Sequence, residues 1–199
     1  MDGPKQRWNP LTRRSGGARV DVRRVVTGHS AEGKAVFVSD EMVAPVTLAL
    51  LPGNEFHRLW GADTKATFPD DGARPSAELY FPPIDGFRFG FFSIPPDAGA
   101  GAPANLDVDA AIEEFRVKLP GLGERLETDH PGMHTTATID YGIVVSGEAI
   151  LELDDREKVT LRPGDTYVQN GTRHRWSNKG DVPAVIAVTL LGAHHLNVN

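Results

Sequence analysis

The 199-residue sequence contains no cysteine, so it can form no disulfide, no zinc–thiolate site and no thiol nucleophile. Long apolar runs are also missing, because no stretch approaches the roughly 18 residues that a membrane-spanning helix needs. The N-terminus carries basic residues with no apolar segment behind them, which does not match a secretory signal. We therefore expect a cytoplasmic protein with no membrane partner.

Positive charge is scarce outside the N-terminus. Residues 1–24 hold seven basic and two acidic side chains, while the whole chain has a formal net charge of −6. The rest of the chain is therefore strongly acidic, and an acidic surface does not attract nucleic acid. We expect no nucleic-acid partner, and the basic arm is typical of a solvated tail.

Helical periodicity is rare as well. One helix is predicted before Pro120, because Ile112, Phe115 and Leu119 fall on one face. Short β-branched and aromatic runs separated by turn residues dominate instead, which indicates an all-β sandwich or barrel. The predicted strands are 24–27, 35–38, 46–51, 57–60, 87–94, 139–145, 149–153, 158–161, 166–169, 173–177 and 184–191.

The segment 28–34, GHSAEGK, comes close to the phosphate-binding pattern GxxxxGK. Ala35 stands where that pattern needs a hydroxyl for magnesium, and the residues that follow are β-branched and not helical. We interpret the segment as a hairpin turn.

Domain organisation is predicted to be simple. Residues 1–19 have no periodicity and are interpreted as an irregular basic leader. Residues 20–199 form a single domain, in which 20–125 supply outer strands and the helix and 126–192 form a barrel core. No internal repeat is visible.

Histidines occur in two clusters, HPGMHTTATIDYGIVVSGE at 130–148 and NGTRHRW at 170–176. The second cluster, with Gly164, Gly171, His174 and Asn178, resembles the second conserved block of the cupin family. Gly147 then sets the register of the first block. This resemblance implies a jelly-roll β-barrel and a homodimer formed through outer strands. The alternating stripe Phe87, Phe89 and Phe91 is predicted to lie in the core or at that subunit interface.

In the same register, Asp140 takes the glutamate position of the first block, His134 the first histidine and Thr136 the second. Side chains two apart on a strand share a face, so these three can point inward, as can His174 from another strand. Two imidazoles and one carboxylate form a known ligand set for a divalent metal with open positions. We predict that His134, Asp140 and His174 bind iron, manganese, nickel or zinc.

Other polar and aromatic side chains are predicted to complete the pocket. His130 shares the parity of His134, Tyr167 and Gln169 alternate together, and Trp176 shares a face with His174. The predicted catalytic residues are His130, Tyr167 and Gln169, and the predicted substrate-binding residues are Thr136, Trp176 and Tyr141.

Two functions remain open. The first is a metal-dependent cupin enzyme acting on a small carboxylated, enolic or aromatic metabolite by lyase or decarboxylase, isomerase or dioxygenase chemistry. The alternative, motivated by Thr136 at a ligand position, is a metal-free cupin without a cofactor that binds or senses a small molecule.

Overall fold

The structure is a computed structural model that describes residues 21–98, 101 and 103–198. The predicted leader at 1–19 lies outside the described residues. In sequence order the strands are β1 Val22–His29, β2 Ala35–Val43, β3 Val46–Leu48, β4 Leu51–Ala62, β5 Phe87–Ile94, β6 Thr138–Ser146, β7 Ala149–Glu152, β8 Lys158–Leu161, β9 Thr166–Asn170, β10 Arg175–Ser177 and β11 Ala184–Gly192, and the helix α1 is Val108–Lys118. Short 3-10 turns follow at Gly123–Arg125 and Asp154–Arg156.

The all-β class is confirmed, with one α-helix in the described part of the chain. A six-stranded antiparallel sheet has the order β3-β4-β5-β11-β6-β9, and a three-stranded sheet has the order β10-β7-β8. These two sheets are the walls of the jelly-roll barrel. The segment interpreted as a hairpin turn joins β1 and β2, which pair antiparallel with each other.

An apolar core fills one part of the space between the two sheets. Its buried members are Ile94, Val144, Ala149, Leu161, Ala184 and Ile186. Phe92, Tyr167 and Trp176 pack against this cluster and are only partly buried. These three aromatic side chains extend the apolar core toward the polar interior of the barrel.

Helix α1 closes a second apolar cluster against β3 and β4. Phe115 and Leu119 pack there with Leu48 and Phe56. The prediction for Ile112 was wrong: its side chain is 45% exposed, because the buried face passes through Ala111 and Phe115.

The single strand predicted at 46–51 was also wrong. The chain turns at residues 49–50, between β3 and β4. The backbone N–H of Ala49 donates to Oε2 of Glu114 on α1 at 2.8 Å, so this N–H group in the turn has its hydrogen-bond partner on the helix.

The aromatic stripe on β5 faces away from the buried side chains of Arg88 and Ile94. Phe89 is 39% exposed, while Phe87 and Phe91 are half-buried. The homodimer that would cover this stripe stays a prediction. No helix in the described ranges is long and apolar enough to cross a membrane.

Candidate functional site

A buried carboxyl group lies in the middle of the inner face of the large sheet. Asp140 on β6 stands opposite Leu190 of β11 on one side and Gln169 of β9 on the other. Its side chain is 7% exposed, because alternate residues of β6 point into the barrel. Tyr141 has the opposite parity and is 48% exposed, so the structure does not bring it to the interior.

The environment of Asp140 is unusual for a carboxyl group. Its Oδ1 atom is buried and has no hydrogen-bond partner. The hydroxyl of Thr138 is its hydrogen-bond partner, and Thr138 Oγ1 lies 2.8 Å from Thr136 Oγ1. Burial raises the pKa of Asp140 from 3.8 to about 6, and the bond from Thr138 opposes this rise only in part. Thr136 and Thr138 are themselves buried.

The charge of this carboxyl group acts on two tyrosines, Tyr80 and Tyr167. Tyr167 stands opposite Gly142 on the neighbouring strand. A Cβ atom at residue 142 would lie 2.3 Å from the Tyr167 ring, so only glycine leaves room for the ring there. Burial raises the pKa of Tyr167 and of Tyr80, and the negative charge of Asp140 adds to both shifts. Both phenols therefore stay protonated near neutral pH. Tyr80 was not predicted from the sequence, because it lies between strands in an irregular segment.

The two histidines predicted as ligands form a close pair. His134 and His174 exchange both backbone hydrogen bonds at 3.0 Å, and their ring centroids are 4.2 Å apart. The Nδ1 atoms lie 3.0 Å and 2.8 Å from the carbonyl oxygens of Gly132 and Thr172. A carbonyl oxygen only accepts, so each Nδ1 carries the hydrogen and each Nε2 keeps a lone pair.

Both imidazoles are neutral near pH 7. Burial lowers the pKa of His134, and burial together with the neighbouring His134 lowers the pKa of His174 to about 4. A neutral imidazole can accept a hydrogen bond or bind a metal through Nε2. The pair therefore offers two Nε2 lone pairs, one from each imidazole, that can bind a metal ion.

The predicted set of three metal ligands is not assembled. Among the described residues no group of three or more His, Asp or Glu side chains is placed to hold a metal ion. The metal-binding role of His134, Asp140 and His174 therefore stays a prediction.

The remaining predicted residues divide into two groups. Trp176 belongs to the interior, with its ring centroid 4.9 Å from that of Tyr167 and 6.3 Å from that of His174. Gln169 is buried beside Asp140, but its amide donates to the carbonyl and hydroxyl oxygens of Thr172 and so holds the loop before His174.

His130 lies outside the interior. Its side chain is 65% exposed and Nδ1 lies 3.3 Å from Oε2 of Glu127. The turn at residues 131–132 interrupts the strand, so His130 does not share a face with His134. Met133, which lies between the two histidines in the sequence, is buried. The structure therefore gathers His134, His174, Trp176, Tyr167, Thr136, Asp140 and Gln169 on the inner walls, and leaves His130 and Tyr141 at the surface.

Known proteins are similar to this chain in sequence. A family model described as a cupin domain, Cupin_2, matches residues 123–190. The cupin-domain-containing oxidoreductase srdB of Neurospora crassa is 31% identical over 188 residues, which cover 90% of this chain and 78% of that protein.

Two further proteins illustrate the range of the similarity. The cupin-domain-containing oxidoreductase fogC of Aspergillus ruber is 27% identical over 191 residues, covering 89% of this chain and 76% of that protein. The crystal structure of a predicted oxalate decarboxylase from Thermotoga maritima aligns with a TM-score of 0.40 and 14% identity over 75% of this chain and 93% of that one. The match to the Neurospora protein extends over most of both sequences, and the chain belongs to the cupin-domain family.

Proposed function

We propose that this chain is a cupin enzyme that moves a proton on a small oxygenated metabolite inside the barrel. The observation that carries the proposal is the Asp140 carboxyl group, which is buried, has one oxygen without a hydrogen-bond partner, and has a pKa raised to about 6. Buried carboxyl groups of this kind are common among catalytic acids and bases. The relatives in Neurospora crassa and Aspergillus ruber carry the name oxidoreductase, which supports an enzymatic role.

The proposed step is proton abstraction next to a carbonyl group. With a pKa of about 6, Asp140 is mostly ionised at neutral pH and is a stronger base than an exposed aspartate. The substrate C–H bond breaks, its proton passes to the carboxylate, and the electron pair moves into the carbonyl oxygen. We assign the hydroxyls of Tyr80 and Tyr167 as the proposed donors to that oxygen, because burial keeps both protonated.

The experiment is deuterium exchange in D₂O with ketones that exchange slowly without a catalyst, such as cyclohexanone and 4-phenyl-2-butanone. We expect deuterium to enter the carbon next to the carbonyl about 100-fold faster than in buffer, the lower range for general acid–base catalysis. Tyr141→Phe is the matched control, since that side chain faces outward, and its rate should equal that of the wild type. Ketone binding without exchange in any member of the panel would instead support a metal-free cupin that binds or senses a small molecule.

A metal-dependent enzyme is the second candidate, and the anchored imidazoles favour it. Metal-binding histidines usually donate their other ring N–H to a carbonyl or carboxylate, as Nδ1 of His134 and of His174 does here. A divalent iron, manganese, nickel or zinc ion bound there would supply Lewis-acid or redox chemistry. The described residues offer it two ligands, so no reaction step is assigned to it.

Measuring the metal content of the protein tests the metal-dependent candidate. We expect a metalloenzyme to contain nearly one metal per chain by mass spectrometry after anaerobic loading, and to lose it in both His134→Ala and His174→Ala. His29→Ala, which changes a histidine on the β1–β2 hairpin, is the control and should retain the metal. Wild-type protein that takes up none of the four metals would contradict the metal-dependent candidate and leave the proton-transfer proposal in place.

A further inference from the structure

The two faces of the large sheet differ in charge in the opposite sense to that of an ordinary half-exposed sheet. On β5 and β6 the charged side chains, Arg88 and Asp140, point inward and are 6% and 7% exposed. The alternate residues of β5, which are Phe87, Phe89 and Phe91, point outward, and none of them is buried. An antiparallel sheet with one solvated face normally carries polar residues on that face. The apolar outward residues therefore indicate that another surface covers them in the working protein.

The apolar outward positions continue across three neighbouring strands. Every second residue of 87–91 on β5, 187–191 on β11 and 139–143 on β6, starting with the first, points outward, and these nine residues pair in three rows. Eight of the nine are aliphatic or aromatic, the ninth is Thr189, and none carries a charge. Val168 on β9 stands opposite the middle residue of the β6 set and extends that row by one strand. We call these ten residues the uncharged face.

The uncharged face is open to solvent in a single copy of the chain. Phe89, Tyr141, Ile143 and Val168 are 39%, 48%, 41% and 58% exposed. Rows two residues apart are separated by about 6.7 Å and strands by about 4.8 Å, so three rows on four strands occupy about 400 Å² of flat sheet. A contiguous apolar patch of this size on a soluble chain is typical of an interaction site.

The absence of charge restricts what can cover this face. A charged side chain buried against it would lose its hydration and find no counter-charge. Residues 1–24 hold seven basic side chains, so the basic arm is a poor occupant. The uncharged face of a second copy meets the requirement, and interfaces with two-fold symmetry use the same patch on both partners.

The sizes of the side chains also suit a second copy. Phe89 and Phe91 form a ridge on β5, with ring centroids 6.3 Å apart. Ala187 and Thr189 on β11 are small and leave a trough between this ridge and the larger outward side chains of β6. Two sheets that pack face to face interdigitate their side chains at a spacing of about 10 Å. The β6 residues of one copy can then lie in the β11 trough of the other.

The available area is enough for an interface when the β1–β2 hairpin is included. Two uncharged faces bury at least about 800 Å² together, while specific interfaces bury about 1,200–2,000 Å² in total. Trp60 of β4 stands opposite Phe89, and the guanidinium of Arg24 on β1 lies 5.5 Å from the centre of the Trp60 ring. The hairpin therefore borders the uncharged face on its β4 side, where Phe37 of β2 is 82% exposed and can supply further apolar contact.

We propose that the uncharged face binds the same face of a second copy, so that the protein is a two-fold symmetric dimer packed sheet against sheet. The β6 residues of each copy lie in the β11 trough of the other, and the β5 ridge of each lies over β9 of the other. The hairpin of each copy then borders the edge that β9 forms in its partner. This inference is independent of the proton-transfer proposal, because Asp140 lies on the opposite side of the same sheet.

Sedimentation velocity of the full chain between about 1 and 100 μM tests the dimer, for which we expect a Kd of about 1 μM or lower. Val168→Glu and Phe89→Glu each place a carboxylate on the uncharged face, where it is hydrated in a single copy and buried without a counter-charge in the dimer. Each should raise the Kd about 100-fold or more. Val159→Glu makes the same change at an exposed position of β8 on the other sheet, and this control should dimerise as the wild type does.

Thermal unfolding gives a second readout. Association of the folded chains stabilises them by mass action, so the Tm of the wild type and of Val159→Glu should rise with protein concentration. The Tm of Val168→Glu should not depend on concentration over the same range. Circular dichroism of each variant separates loss of the dimer from loss of the fold, and both glutamates replace side chains that are exposed in a single copy.

The outcomes decide which surface, if any, joins two copies. Loss of the dimer in each folded variant of the uncharged face, together with its retention in Val159→Glu, would support the proposal. A wild type that stays monomeric throughout the range would overturn it and leave the face for a different protein. A dimer that forms equally well in Val168→Glu and Phe89→Glu would also overturn it, because the copies would then meet through another surface.

Discussion

Asp140→Asn is expected to lower the rate of deuterium exchange about 100-fold or more, because an amide cannot take a proton from carbon. Asparagine has the shape of aspartate and keeps an oxygen that can accept the hydrogen bond from Thr138. The fold should therefore be retained, and the loss of rate should reflect the loss of the base. An exchange rate equal to that of the wild type would exclude Asp140 from the reaction.

The same change is expected to stabilise the protein above pH 6. The folded state raises the pKa of Asp140 from 3.8 to about 6, so between these values the folded protein binds its proton more tightly than the unfolded chain does. Wild-type stability therefore falls as the pH rises through this window and stays lower above it, by about 3 kcal/mol for a shift of this size. Asparagine does not titrate, and the variant avoids this loss.

Urea unfolding at pH 4, 5, 6 and 7.5 measures the effect. The quantity to compare is the free energy of unfolding of Asp140→Asn minus that of the wild type, because the lowered pKa of His174 destabilises both proteins on acidification. This difference should be about 0.5 kcal/mol at pH 4 and approach about 3 kcal/mol at pH 7.5. Asp181→Asn, at an exposed position, should give a difference near zero at every pH. A difference at Asp140 that does not vary with pH would contradict the raised pKa.

Asp140 lowers the free energy of unfolding at neutral pH, and no structural partner compensates for this loss. A residue of this kind is typical of a functional site. The other buried carboxylate on the described walls, Glu152, differs in this respect. Its two oxygens accept from the guanidinium of Arg175 at 2.9 Å, and Lys158 lies 3.2 Å away. Glu152 is thus part of a paired structural cluster, whereas Asp140 has one hydroxyl partner.

The sequence was sufficient to predict which side chains point inward wherever strand periodicity is regular. The inward direction of Asp140 on β6, of Tyr167 and Gln169 on β9, and of Trp176 on β10 follows from a period of two, which short antiparallel strands obey. Tyr141 was predicted as a substrate-binding residue although its parity is opposite to that of Asp140.

The rest of the site depends on contacts between distant segments. Tyr80 lies in an irregular stretch whose position is set in part by the bond from its backbone N–H to the carbonyl of Pro120 at 2.7 Å. No local pattern predicts such a pairing. The pairing of His134 with His174 likewise joins two segments that are distant in the sequence.

Asn178→Ala is expected to lower the free energy of unfolding by about 3–5 kcal/mol, the cost of leaving several buried backbone groups without partners. The Asn178 side chain is fully buried. Its amide N–H₂ group donates to the carbonyl oxygens of Ile94 at 2.9 Å and Val182 at 2.8 Å. Its Oδ1 accepts from the backbone N–H of Gly180 at 2.8 Å.

These bonds connect the end of β5 to the loop between β10 and β11, and so fix the strand that carries Trp176. Urea unfolding at pH 7.5 measures the loss. Asn170→Ala, at an exposed position on β9, is the control and should change the free energy of unfolding by less than about 0.5 kcal/mol.

Asn178→Asp tests whether hydrogen bonding or shape accounts for the loss. The aspartate keeps the acceptor for Gly180 but places a second oxygen against the carbonyl oxygens of Ile94 and Val182, where asparagine donated. At pH 7.5 we expect it to destabilise the fold at least as much as alanine does, since an ionised carboxylate is then buried against two acceptors. At pH 4 a protonated carboxyl can restore one of the two donor bonds, and the deficit relative to the wild type should shrink. An aspartate variant as stable as the wild type at pH 7.5 would mean that the volume of the side chain, and not its donor group, holds β5 to this loop.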